Sequence, residues 1–196
     1  MSHPGMLNVF SDNIAGEFEW SKENFEEINK IIKKYPSGKQ QSAVLPVLDI
    51  AQRQNKGYLN KQCIEKVAET LNMSFIRVME VATFYSMFNL NKVGKNFIQI
   101  CRTTPCWLRG SNKLLEVAKD VTGCDLGETS DDGIFTMVEV ECLGACCNAP
   151  MVQINDNYYE DLSEQNFKEL LLNLKNNENV IKGSQVGRLS SEPKKE

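Results

Sequence analysis

The chain has one histidine, His3, and no Cys-x-x-Cys anywhere in its 196 residues. The first scarcity argues against any site with histidine ligands, a Rieske centre included. The second argues against a dithiol redox enzyme, which places that pair where a helix N-terminus lowers the thiol pKa. Neither a GxGxxG nor a phosphate-binding P-loop is present, so no nucleotide or quinone is expected to bind the chain directly. Positive charge is not in excess either: 22 Lys and Arg against 26 Asp and Glu give a net charge of -4, which argues against a nucleic-acid binder. No apolar run approaches the roughly 18 residues of a membrane span. The most suggestive stretch, residues 81–88, is broken by Thr83 and Ser86. Residues 1–16 lack Lys and Arg, so neither a secretory signal nor an Arg-rich transit peptide is expected there, and a reducing compartment follows.

Seven cysteines in such a compartment point to metal or redox chemistry rather than to a disulfide framework. Four of them form two tight pairs, Cys101-R-T-T-P-Cys106 and Cys142-L-G-A-Cys146. Each pair places two thiolates on one turn of backbone. Two such turns brought together supply the four soft ligands of an iron-sulfur cluster or a structural zinc.

The first half of the chain has helical periodicity. Ser21 is an N-cap for a helix carrying Phe25, Ile28, Ile31 and Ile32, which stops at Tyr35-Pro36-Ser37-Gly38. A second helix is predicted over residues 40–56, with Pro46 in its first turn or at a kink. Asn60 and Ser74 cap a third and a fourth, each amphipathic and too short to be stable alone, so the four form a helical bundle. After Gly94 the pattern changes to a strand over 97–101, a helix over 111–121, a strand over 134–141, a hairpin over 151–160 and a helix capped by Ser163. The fold class is α+β. Residues 1–16 are assigned to an N-terminal tail, 17–91 to the bundle, 92–177 to the α/β domain and 178–196 to a polar tail. Composition favours disorder in that last segment over an arm that orders on a partner.

Both cysteine pairs lie where a strand hands over to a loop, shaped by Pro105, Gly144 and Pro150. Backbone N–H groups of such loops stabilise cluster sulfurs. The spacings also fit an all-cysteine zinc site, and Arg109 stands where a plant-type ferredoxin would place its third cysteine. Cys63 reads as a buried helix residue and Cys124 as packing or a surface thiol. Cys147 is ranked below Cys146 as a ligand because adjacent side chains diverge. Arg102 and Arg109 would raise the potential of a cluster if they face it, and otherwise make ordinary surface contacts. Trp107 fits a core or an interface.

Three runs together carry a resemblance: residues 141–151 (E-C-L-G-A-C-C-N-A-P-M), 100–110 (I-C-R-T-T-P-C-W-L-R-G) and 81–88 (V-A-T-F-Y-S-M-F). They resemble the thioredoxin-like 2Fe-2S subunit of NADH:quinone oxidoreductase, respiratory complex I. The resemblance implies a helical N-terminal part and a thioredoxin-like ferredoxin domain, with one 2Fe-2S cluster held by Cys101, Cys106, Cys142 and Cys146. It also implies an electron-transfer subunit of an oxidoreductase with no catalytic site of its own, exchanging an electron with the FMN of a partner subunit that binds NADH. Neighbouring peripheral-arm subunits would be further partners. Such a subunit is cytoplasmic, peripheral on the inner membrane through its complex, or faces the mitochondrial matrix. Thr83, Phe84, Tyr85 and Phe88 match a run associated with packing of the helical part against neighbouring surfaces. Small subunits of NAD-linked hydrogenases and formate dehydrogenases share the cysteine frame, and a zinc-stabilised assembly module is the other alternative.

Overall fold

The computed structural model describes residues 17–193, so the expectations for the N-terminal tail and His3 lie outside the described residues. The chain forms two compact units that divide between Lys92 and Val93.

The first unit is helical, with α1 (Lys22–Ile32), α2 (Val44–Gln54), α3 (Lys61–Leu71) and α4 (Phe75–Phe84). Ser21 caps α1 by accepting the N–H of Asn24 at 3.1 Å, and Asn60 caps α3 by accepting that of Cys63 at 2.8 Å. Each bond satisfies one of the donors that a helix start leaves open. Ser74 takes the N-cap position of α4 without a side-chain bond. The helix expected over 40–56 is in fact a 3-10 turn at Gln40–Ala43 followed by α2. Pro46 therefore falls in the first turn of α2, where its missing N–H costs nothing. Ile28, Val47, Leu48, Ile64, Val67, Leu71 and Val78 are fully buried in one core.

Leu59, Phe88 and Leu90 belong to the same core although they lie in connections. The segment after α4 is tied back by polar bonds. Leu59 donates to Asn89 O at 2.7 Å, the Asn89 side chain donates to Gly57 O at 2.9 Å, and Gln52 bridges Met87 O and the N–H of Asn89. Phe88 is turned inward by this wrap, whereas Phe84 is left 75% exposed.

The second unit is a five-stranded sheet with helices. Its elements are β1 (Asn96–Cys101), α5 (Thr104–Leu108), α6 (Ser111–Thr122), β2 (Phe135–Val140), β3 (Val152–Ile154), β4 (Asn157–Glu160), α7 (Glu164–Lys175) and β5 (Gly183–Ser184). The strand order is β2-β1-β3-β4-β5. β1 and β2 pair parallel through the α5–α6 connection, and β3 and β4 form the antiparallel hairpin read from the sequence. Ser163 opens α7 with a full capping box, its hydroxyl on the N–H of Asn166 and the Asn166 side chain on its own N–H. Ile98, Ile100, Phe135, Met137, Val152 and Ile154 of the sheet bury against Leu114, Phe167, Leu170 and Leu171 of α6 and α7. The whole is an α+β chain.

Two features were not read from the sequence, the short helix α5 and the fate of the polar tail. Residues 183–184 extend the sheet, Gly183 opposite Tyr159 and Ser184 opposite Glu160, so the described part of the tail is folded rather than disordered.

Gly94 sets the entry to β1. A Cβ placed there would meet the Phe135 backbone at 2.7 to 2.9 Å, while its N–H bonds the Thr136 hydroxyl at 2.6 Å. Gly94→Ala should therefore lower stability by about 1–3 kcal/mol in chemical denaturation, because backbone on both sides must move. A second expectation concerns Cys63, whose thiol burial pushes up from 9.0 to about 11 against two weaker backbone hydrogen bonds. The unfolded thiol loses its proton first, so the stability tied to this group is intact below pH 9 and is lost as pH rises toward about 11. Unfolding curves from pH 8 upward should fall less steeply for Cys63→Ala than for the parent chain; equal slopes would contradict the assignment.

Candidate cluster-binding site at the strand ends

β1 and β2 run parallel and in register to their last residues, with Cys101 opposite Val140. The loops that follow leave the same edge of the sheet, the edge at which parallel strands place their sites. Cys101 closes β1 and Cys142 lies two residues beyond β2. In the first loop Pro105 occupies the opening turn of α5, which turns Cys106 inward to 1% exposure. In the second, Gly144 takes a φ of +82°, a left-handed conformation that suits glycine, and a 3-10 turn follows at Cys146–Asn148. The Tyr158 hydroxyl donates to Leu143 O at 2.8 Å and pins this loop to β4.

Four thiols meet there. The sulfurs of Cys142 and Cys146 are 3.3 Å apart. Cys101 and Cys106 share a hydrogen bond, and Cys106 also feels the charges of Cys101 and Cys146. Each pair is thus hydrogen-bonded within itself, and the pairs sense each other's charge. Among the described residues no three Cys, His, Asp or Glu side chains close about one point. Four cysteine thiols are a donor set for a 2Fe-2S centre and also for a structural zinc.

Donors surround the sulfurs. Gly144 N–H points to Cys142 Sγ at 3.4 Å, Met151 N–H to Cys106, and the Thr103 hydroxyl lies 3.4 Å from Cys101 Sγ and also bonds Cys142. Burial pushes the Cys106 thiol up to about 12, against the pull of Met151 N–H. Cys142 is held below its ordinary value by Gly144 N–H above all, then by Cys146 and Thr103. Cys146 is raised, first by its hydrogen bond with Cys142. Within the exposed pair Cys142 is therefore the more acidic thiol. Four thiols backed by N–H and O–H donors fit a 2Fe-2S cluster.

The remaining cysteines stand apart. Cys63 is buried in the helical core, and Cys124 is buried beside Thr122, its thiol 3.3 Å from that hydroxyl. Cys147 is exposed. Arg102 is committed to Glu139 at 2.5 Å and to Asn112, so its charge is locally neutralised. Arg109 lines a groove of about 380 Å³ with Pro105, Leu108, Cys146, Cys147 and Arg188. Trp107 is 54% exposed and fills no core of this chain. The contributions of Thr103, Met151 and Tyr158 were not read from the sequence. Thr103, two residues after a candidate ligand, was the one with a local signal.

Residues 28–175 match the model of the family described as thioredoxin-like [2Fe-2S] ferredoxin. The chain belongs to that family. Its fold is accordingly thioredoxin-like, and the family's cofactor is a 2Fe-2S cluster. Among its relatives is a NADH-quinone oxidoreductase subunit of Rickettsia felis, 52% identical over 158 residues, which are 81% of this chain and 95% of the relative. Another is the mitochondrial NADH dehydrogenase [ubiquinone] flavoprotein 2 of Dictyostelium discoideum, 47% identical over 175 residues, covering 89% of this chain and 71% of that one. A crystal structure of an NAD+-reducing [NiFe]-hydrogenase shares the fold, with a TM-score of 0.61 at 16% identity over 69% of this chain and 23% of its own.

For this ferredoxin the pKa order predicts reactivity. In the cluster-free chain at neutral pH, iodoacetamide should modify Cys142 well before Cys106, because the first is exposed with a lowered pKa and the second is buried with a raised one. Peptide mass spectrometry over time reads the order, and early modification of Cys106 would contradict the buried placement.

Proposed function

We propose that this chain is the electron-transfer subunit of an NADH:quinone oxidoreductase and that Cys101, Cys106, Cys142 and Cys146 ligate its one 2Fe-2S cluster. The observation that carries the reading is the meeting of two thiol pairs at the aligned ends of β1 and β2. Relatives at about half identity bear the names of that enzyme's subunits over most of the chain. When bound, a 2Fe-2S cluster stores and returns one electron. The chain's own residues hold it, supply hydrogen bonds to its sulfurs and decide which side faces out. Oxidation of NADH belongs to the complex, and the partner subunit that binds NADH and FMN is the electron donor.

Cys142 and Cys146 are exposed, while Cys101 and Cys106 are buried. Electron exchange with a flavin is thus favoured across the loop bearing the exposed pair. Trp107 and Leu108, 54% and 69% exposed on α5, offer apolar surface for a partner beside it. No helix among the described residues is long and apolar enough to cross a membrane. Attachment at the cytoplasmic face of the inner membrane, or on the matrix side, would come through the complex and its neighbouring peripheral-arm subunits.

The test is anaerobic reconstitution followed by visible absorption, iron and sulfide analysis and EPR of the reduced protein. The parent chain should hold two irons per chain. Each of Cys101→Ala, Cys106→Ala, Cys142→Ala and Cys146→Ala should lose most of them, and Cys63→Ala, Cys124→Ala and Cys147→Ala should not. Stoichiometric zinc with no visible absorbance would overturn the cluster, and full occupancy in Cys146→Ala with loss in Cys147→Ala would move the fourth ligand by one residue.

A further inference from the structure

Polar residues after α7 return to the sheet and end on the loop that bears Cys146. β5 pairs with the end of β4, and Gln185 N–H adds a bond to Glu160 O at 2.9 Å. Directly after β4, Asp161 turns with a φ of +55° and directs its carboxylate at the returning chain. That carboxylate accepts the Ser184 hydroxyl at 2.7 Å and Arg188 Nε at 2.9 Å, with a second close contact from Arg188 Nη2 to the other oxygen. The Asp161 and Arg188 side chains are only 9% and 11% exposed, so the pair is a shielded fork rather than a surface ion pair.

The fork reaches the candidate ligands by two routes. Arg188 Nη2 also donates to the carbonyl of Cys147 at 3.0 Å, and Nη1 donates to Glu192 O at 2.9 Å. Asn148, 4% exposed, donates from its side-chain amide to Ser190 O at 2.7 Å and to Glu160 at 2.9 Å. Asp161 N–H closes the loop on Asn148 O at 2.8 Å. Both residues that follow Cys146 in its 3-10 turn are therefore held by bonds to residues 188–190 or to Asp161. Other bonds fix the rest of the site: Cys101 belongs to β1, Cys106 to α5, and Leu143 is held by Tyr158.

We propose that residues 183–192 form a strap that sets the position of Cys146, with Arg188 as its positioning residue. The inference rests on the reading of Cys146 as a ligand. Arg188 touches no sulfur among these bonds; it acts through the Cys147 carbonyl and the charge of Asp161. A lysine in its place keeps the charge but has three donors on one nitrogen, so it cannot reproduce the two-oxygen fork on Asp161 together with the bonds to Cys147 O and Glu192 O. Residues that orient a ligand in this way typically change metal retention by about 10- to 100-fold when removed.

The experiment uses the reconstituted full-length chain, Arg188→Ala, Arg188→Lys, and a chain ending at Lys182. The shortened chain removes the strap together with the cover over Asp161, so that carboxylate meets water instead of staying shielded without Arg188, and it covers the case in which Arg188→Ala fails to fold. Three measurements are made: the rate of cluster loss to a chelator, the EPR g-values of the reduced cluster, and amide exchange over residues 145–149. Arg188→Ala and the shortened chain should lose the cluster about 10-fold faster, with altered g-values and faster exchange in that segment, and Arg188→Lys should fall between. A purely structural strap would lower the unfolding midpoint while leaving the g-values and chelation rate unchanged, and that result overturns the proposal. Faster exchange without any change in the cluster also overturns it. Cys146→Ala then separates the causes, since a retained cluster in that variant means the ligand assignment failed, and a lost one means only the strap did.

Discussion

The parallel, in-register pairing of β1 with β2 is the constraint on which the site depends. Cysteines far apart in sequence come together because two strands end at the same level, Cys101 opposite Val140, and each loop then carries its pair the last few residues. A slip of one residue would turn every side chain of β1 to the other face of the sheet. The register is held by burial: Ile98 and Ile100 of β1 and Phe135 and Met137 of β2 are all removed from solvent. Apolar packing thus fixes where soft ligands meet, and the loops need to supply only local geometry.

That division explains what could be read in advance. The capping roles of Ser21, Asn60 and Ser163, the β3–β4 hairpin and the spacing of the thiols are local patterns, and local patterns survive in a sequence. Leu59, Phe88 and Leu90 enter the helical core from connections where periodicity has nothing to say. The start of α2 lies four residues later than periodicity suggests because the 3-10 turn Gln40–Ala43 runs into the helix with no Gly or Pro between them to mark the change. For Arg102 the sequence leaves open a charge acting on the cluster or an ordinary surface contact, and Glu139, on the neighbouring strand, holds it in the second role.

The polar tail is the sharpest case. Its composition lacks the apolar surface that orders a chain by burial, yet residues 183–184 join the sheet and Gln185 and Arg188 bond to the end of β4 and to Asp161. Their order comes from a few directional bonds, among them those of Arg188, Asp161, Ser184 and Asn148, across up to 42 positions in sequence. Such bonds are strong when shielded and absent from any composition average. Disorder inferred from polarity fails where a folded surface already presents a complementary carboxylate.

The uneven burial of the four thiols bears on how the protein is loaded. A carrier delivering iron and sulfide to the folded chain can reach Cys142 and Cys146 from solvent, and Cys142 is already inclined to be a thiolate. Cys101 and Cys106, each 1% exposed, lie behind them. Loading would then run from the open edge inward, and ligation by Cys106 would need the removal of a proton that burial holds on it. Once that proton is gone, the feature that resisted filling shields the inner pair from solvent and slows the way out.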